Sequence, residues 1–317
     1  MIGFFIVLLS SAFFCFQNVI VRILFKEQSI LGLFDTGGFV APTFQNTLLL
    51  VFMRMILALP MMACVVPILY PPTWKDLRQL GQPERRGLLG RSLAGGGLMF
   101  LYLMLLYISV GLIPTGIALT LFFTYPVFTA LFSWKWLGAR LTMFRWIVMG
   151  FVLVGSCLTM PLVSATNNDQ TFLGIVTGIA SGAVYGLYTV NAQKIFEQMH
   201  PFPFTWLSFA ITLLLSAVVL LCWHGQLDGL AWGALWIGGF LSAFFTFGGH
   251  LLNNLGIQRI GATAAAMLGA SNPALTVVLA WLVIQESLNW VQVVGVLIVT
   301  LSVASLSQEK AFAERSR

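Results

Sequence analysis

Charge is what this chain has least of. Asp, Glu, Lys and Arg make up 8% of its 317 residues, against about 25% in a soluble domain, too little to cover a water-facing surface. Cysteine is sparse too: Cys15, Cys64, Cys157 and Cys222 all sit in apolar runs, with neither the spacing of a metal site nor a paired disulfide framework. There is no Gly-rich phosphate loop, no His-Glu-x-x-His and no Gly-x-Ser-x-Gly, which excludes the common nucleotide-driven and hydrolytic chemistries. No metal, no cofactor and no enzymatic activity are expected. The formal net charge of +6 could suggest nucleic acid, but no basic patch interleaves with aromatics. No nucleic-acid partner is expected.

What the chain has is apolar sequence, 59% of it. A membrane-spanning helix needs about 20 apolar residues, and by that rule ten spans are expected: 2–25, 44–70, 88–110, 114–136, 142–163, 171–195, 202–223, 230–254, 261–283 and 288–306. The first exceeds the apolar core of a leader peptide and lacks a basic start, so it reads as a span. Lys and Arg mark the cytoplasmic side. They collect in alternate loops (Lys75 to Arg91, Lys135 to Arg145, Lys194, Arg259, then Lys310 to Arg317), and of the opposite loops only the first carries any, Arg22 and Lys26. Both termini are therefore expected in the cytoplasm. Trp134, Trp136 and Trp146 flank one interface, and Trp223, Trp232 and Trp290 the other, as interfacial belts do.

One plan occurs twice. Residues 114–140 and 261–287 both run from small residues through a mid-helix proline, and Pro126 falls on Pro273 at a shift of 147. At that shift Thr124 meets Ser271 and Leu141 meets Leu288. Five helices is an odd number, so the halves 1–163 and 164–317 enter the membrane from opposite sides, as inverted repeats. The polar stretch 164–170 divides them, and residues 26–46 form the longest outside loop, read as a lid, a re-entrant segment or a plain solvated loop.

At these residues the chain resembles the EamA-type transporters of the drug/metabolite transporter superfamily. The resemblance rests on Pro273, Glu286, Leu288, Gln292 and Gly295 in the second copy, and on Pro126, Gly138, Leu141, Thr142 and Gly150 in the first. Ala139 departs from it, standing where a Glu is usual, as does Gln285 where Gly138 has its match. The resemblance implies ten helices and movement of small metabolites, commonly export, and leaves the substrate open.

Candidate residues follow from what a membrane makes costly. Gly174, Gly178, Gly182 and Gly186 repeat every four residues, a face on which another helix can approach closely. Pro126 and Pro273 break their helices beside Thr124-Tyr125 and Ser271-Asn272, and such breaks are tolerated where they line a cavity or are buried in protein. Arg54 lies deep in the second span and either meets a substrate carboxylate or phosphate, or binds backbone carbonyls or snorkels along a crevice. His250 shares a face with Asn253 and Asn254, as a ligand or proton site or as a helix-to-helix hydrogen bond. Asn18, Tyr102, Tyr188 and Asn191 complete a mixed apolar and polar pocket. With no carboxylate at the centre of any span, either proton coupling falls to His250 or the more peripheral Glu286, or the protein is a facilitator.

The expected molecule is an all-α, multi-pass protein of the cytoplasmic membrane that moves a small polar or amphipathic metabolite, such as an amino acid, by alternating access. Its expected partners are that solute and the lipid bilayer, with protons and a homodimer left open. The competing reading is a membrane scaffold or partner subunit that carries no solute.

Overall fold

The computed structural model describes residues 2–41, 43–113, 115–159, 169–222, 230–284 and 289–315. The 164–168 part of the polar divider, Pro42, Pro114, Trp223 and Glu286 lie outside them. Helices α1 (Ile2–Phe25), α2 (Phe44–Leu69), α3 (Thr73–Gln79), α4 (Arg86–Leu112), α5 (Thr115–Phe122), α6 (Tyr125–Leu137) and α7 (Met143–Thr159) make the first half of the chain. The second contains α8 (Asp169–Ile195), α9 (Pro201–Cys222), α10 (Trp232–Ile260), α11 (Ala262–Gly269), α12 (Asn272–Ile284) and α13 (Trp290–Arg315). Among the described residues, eight stretches are long and apolar enough to cross a membrane, and Met143–Thr159 and Trp290–Ser305 are shorter apolar helices. Their outward faces carry Phe5, Leu101, Phe151, Leu221, Phe240 and Leu301, the surface that lipid rather than water can cover.

Local chemistry sets the ends of these helices. Ile113, the residue before a proline, is extended with φ −135° and ψ 161°, as that position prefers, so α4 and α5 stay separate. Gly138 ends α6 in the left-handed region with φ 66°, and its amide donates to the Trp134 carbonyl at 3.2 Å, a left-handed cap that favours glycine. Thr43 caps α2 by accepting from the Asn46 amide at 3.3 Å.

The two mid-helix breaks are built alike. The Thr124 hydroxyl donates back to the Leu121 carbonyl at 2.6 Å, and the Ser271 hydroxyl to the Leu268 carbonyl at 2.6 Å. Two residues after each hydroxyl stands the proline that removes a backbone donor. The hydroxyl stands in for part of the lost ladder, so the chain turns from α5 to α6, and from α11 to α12, within the protein interior.

Packing follows the same doubling. Helix α4 runs along α8 and α10 along α1; α4 and α10 also meet α9 and α2 respectively, α6 meets α8 and α12 meets α1. Helices α7 and α13 cross at two glycines: a Cβ on Gly155 would lie 2.9 Å from the Gly295 carbonyl, and one on Gly295 2.6 Å from the Gly155 carbonyl. A Cβ on Gly150, the glycine carried by the resemblance, would meet nothing within 4 Å; the crossing uses Gly155 instead.

Residues 26–46 contain an ordered antiparallel hairpin, β1 (Gln28–Ile30) and β2 (Phe34–Thr36). Its turn amide, Leu31, donates to the Val283 carbonyl at the end of α12 at 2.8 Å, and Gly38 and Val40 donate to Ile23 and Leu24 at the end of α1. Carbonyls at helix ends lack partners of their own. The loop supplies them, tying α1 to α12.

Candidate functional site

The centre of the molecule is a cluster of tyrosines held by asparagines. Tyr185 on α8 meets Tyr102 on α4 edge-on at 4.8 Å and Tyr125 on α6 at 4.7 Å between ring centroids. Phe122 and Tyr188 close the group. The amide of Asn253 donates to the Tyr185 hydroxyl at 3.4 Å, and that of Asn254 to the Tyr188 hydroxyl at 3.3 Å and the Thr205 hydroxyl at 2.8 Å. Tyr125 reaches across the two breaks: a Cβ on Gly269, the last residue of α11, would come within 2.5 Å of its hydroxyl.

The glycines of α8 let this cluster form. A Cβ would lie 2.6 Å from Ile113 at Gly174, 2.9 Å from the Ser109 hydroxyl at Gly178, 2.8 Å from the Phe122 carbonyl at Gly182 and 2.9 Å from the Thr129 amide at Gly186. The stripe thus faces the end of α4, then α5, then α6, with backbone against backbone at the break. Pro126 deprives the Phe122 carbonyl of its usual donor four residues on, and Gly182 leaves that carbonyl room.

Beside the tyrosines stand Arg54 and His250. Arg54 is 5% exposed, and its Nε has no hydrogen-bond partner among the described residues. It lies within electrostatic reach of both Tyr102 and His250. His250 is wedged edge-on between Phe14 at 5.0 Å and Phe209 at 5.3 Å, and its Nδ1 has no partner among the described residues.

The other sequence-derived candidates divide. Asn18 and Asn272 form a second, self-satisfied group: the Asn272 side-chain oxygen accepts from Asn18 at 3.1 Å and from Thr276 at 3.0 Å, linking α1 to α12. Thr124 and Ser271 turn inward on their own helices, as described above. Asn191 sits apart from the tyrosines and donates to the Arg91 carbonyl on α4 at 3.1 Å. Gln193 escapes a reading by composition; its side-chain oxygen accepts from the Ala262 amide at 2.7 Å and caps α11. Ser242 and Thr246 also escape it, although they stand four residues apart on α10 in line with His250 and Asn254.

A cavity of about 320 Å³ opens at the end of the molecule where α2, α8 and α10 finish. Arg85, Asp76, His200 and Gln258 are among its lining residues. The His200 ring stacks on Tyr70 at 4.0 Å, and the Tyr70 hydroxyl donates to the Asp76 carboxylate at 2.9 Å. Burial pulls the His200 pKa below its ordinary value, with Asp76 opposing it.

Comparison with known proteins agrees with this architecture. Residues 1–160 and 172–308 match the EamA-like transporter family. A protein of Synechocystis sp. named "Uncharacterized transporter sll1319" is 52% identical over 310 residues, covering 98% of this chain and 94% of the relative. The threonine/homoserine exporter RhtA of Salmonella typhimurium is 24% identical over 228 residues, 68% of this chain and 69% of its own. A solved crystal structure at 15% identity shares the fold with a TM-score of 0.66, over 98% of this chain and 97% of that one. The protein is an integral, multi-pass membrane transporter rather than an enzyme, and it belongs to the EamA-like transporter family.

Proposed function

We propose that the chain is a ten-helix secondary transporter of the cytoplasmic membrane, with both termini in the cytoplasm. Residues 1–163 and 164–317 form inverted five-helix repeats that rock about the tyrosine cluster. The cargo is a small polar or amphipathic metabolite such as an amino acid, moved outward by alternating access. The observation that carries this reading is the pair of matching breaks: Thr124-Pro126 and Ser271-Pro273 turn their helices by the same hydroxyl device and face each other through Tyr125 and Gly269.

Further support comes from the packing, in which α4 against α8 has its counterpart in α10 against α1, and α6 against α8 in α12 against α1. Broken helices meeting at a repeat interface are where transporter folds bind their cargo. The similarity to a threonine/homoserine exporter supports an amino acid as cargo and export as direction. The test is efflux from liposomes preloaded with radiolabelled L-threonine, L-homoserine or other small amino acids. The reading expects at least one of them to leave several-fold faster than from protein-free liposomes, slowed by excess unlabelled solute. Protein-free rates for the whole set, from correctly folded protein, would favour the scaffold reading instead.

A further inference from the structure

Arg54 is a buried cation whose Nε has no hydrogen-bond partner among the described residues. It stands ten residues into α2 (Phe44–Leu69), about 15 Å along the axis from the helix start at 1.5 Å per residue. Arginine side chains are permanent cations, so burial calls for a partner rather than for loss of a proton. Intramembrane cations pair with acids or with backbone carbonyls. The chain's ten Asp and Glu residues all fall at or beyond the ends of the eight spans, and the Nε of Arg54 is unbonded among the described residues.

Opposite it runs a row of polar residues on α10. Ser242, Thr246, His250, Asn254 and Gln258 follow one another at every fourth position, a ridge that winds slowly about the helix. Gly239, three residues before Ser242 and on the same side, packs against Leu57 and Met53 of α2, which sets the row towards the helix that carries Arg54. The Ser242 and Thr246 hydroxyls, His250 Nδ1 and the Asn254 side-chain oxygen are buried without a partner among the described residues. Polar groups that serve to glue membrane helices are bonded across the interface; in this row those four atoms are not. The row ends at Gln258, in the wall of the cavity with Arg85 and His200.

We propose that this row is the path of a solute bearing a single carboxylate, and that Arg54 is the charge on which the carboxylate docks. The inference rests on the transporter reading and names its substrate class. A guanidinium offers a planar fork that fits a carboxylate with two hydrogen bonds. The row supplies neutral donors and acceptors for the rest of a small polar solute. No second Lys or Arg lies on it, so one negative charge is matched and a phosphate dianion is not. A lipid phosphate stays at headgroup level and does not reach this depth.

The experiment measures thermal unfolding of the purified full chain in lipid nanodiscs, with efflux assays in parallel. The probes are L-threonine, L-lactate, their amides threoninamide and lactamide, and inorganic phosphate. The wild-type protein is expected to gain several degrees with millimolar threonine or lactate, and nothing with the amides or phosphate. Arg54→Met should unfold no lower than wild type without ligand, since an apolar side chain relieves an unpaired buried charge, and should lose the ligand shift and at least tenfold of the efflux. Arg54→Lys should keep a weakened shift. Equal shifts from acids and amides, a shift from phosphate alone, no shift from any acid, a retained shift in Arg54→Met, or an unstable Arg54→Met would each overturn the proposal. A carboxylate shift without efflux would leave the docking site standing and sink the transporter reading.

Discussion

His200 shows how one ring at the mouth of the cavity makes the fold sensitive to acid. Its pKa lies below the ordinary 6.5 because burial against Tyr70 penalises the charged ring more than Asp76 favours it. The folded chain therefore holds fewer protons at this site than the unfolded chain, and stability must fall as pH drops below 6.5 towards the folded value. Unfolding temperatures between about pH 7 and pH 5 should decline in the wild type and decline less in His200→Phe, which keeps a ring on Tyr70. Identical slopes in the two proteins would remove His200 from the account. Legibility differs sharply at this scale. Arg54 is visible in the sequence because a cation deep in an apolar run is rare and must find a partner. Ser242 and Thr246 are not, because such residues are ordinary in membrane helices and only their missing partners, a three-dimensional fact, set them apart.

The helices carry a second kind of information, in what they exclude. A methyl on Gly182 would lie 2.8 Å from the Phe122 carbonyl, and both partners are backbone, so neither can swing aside. Gly182→Leu should lower the unfolding temperature, at a cost of about 1–3 kcal/mol for overpacking, and block flux by prising α8 from the α5–α6 break. Gly150→Ala serves as the control, since space is open there, and should match wild type in both assays. Wild-type stability and flux in Gly182→Leu would show that α8 does not seat against the break. The four-residue glycine period is readable from sequence because it matches the helical repeat; its partner is not, because nothing in the spacing says which helix arrives. The loop at 26–46 is illegible for another reason. Its order comes from Leu31, Gly38 and Val40 bonding to carbonyls of α12 and α1, partners as far as 252 positions away in the Leu31–Val283 pair.

At the scale of the molecule, the doubling seen in the sequence at a shift of 147 residues has a physical counterpart in the paired breaks, where Thr124 and Ser271 make the same bond. Sequence spacing alone places the breaks; it does not place Tyr125 against Gly269, because the contact joins the two copies. Rocking of one half against the other would part these contacts and open the row on α10 to each side of the membrane in turn. The most direct measurement uses Thr246→Cys in a chain whose four native cysteines are replaced, reconstituted and labelled with a membrane-impermeant thiol reagent added to either side. Alternating access predicts that the position reacts from both sides, and that added substrate speeds labelling from one side as it slows labelling from the other. Labelling from one side only under every condition, or a rise on both sides together, would contradict it.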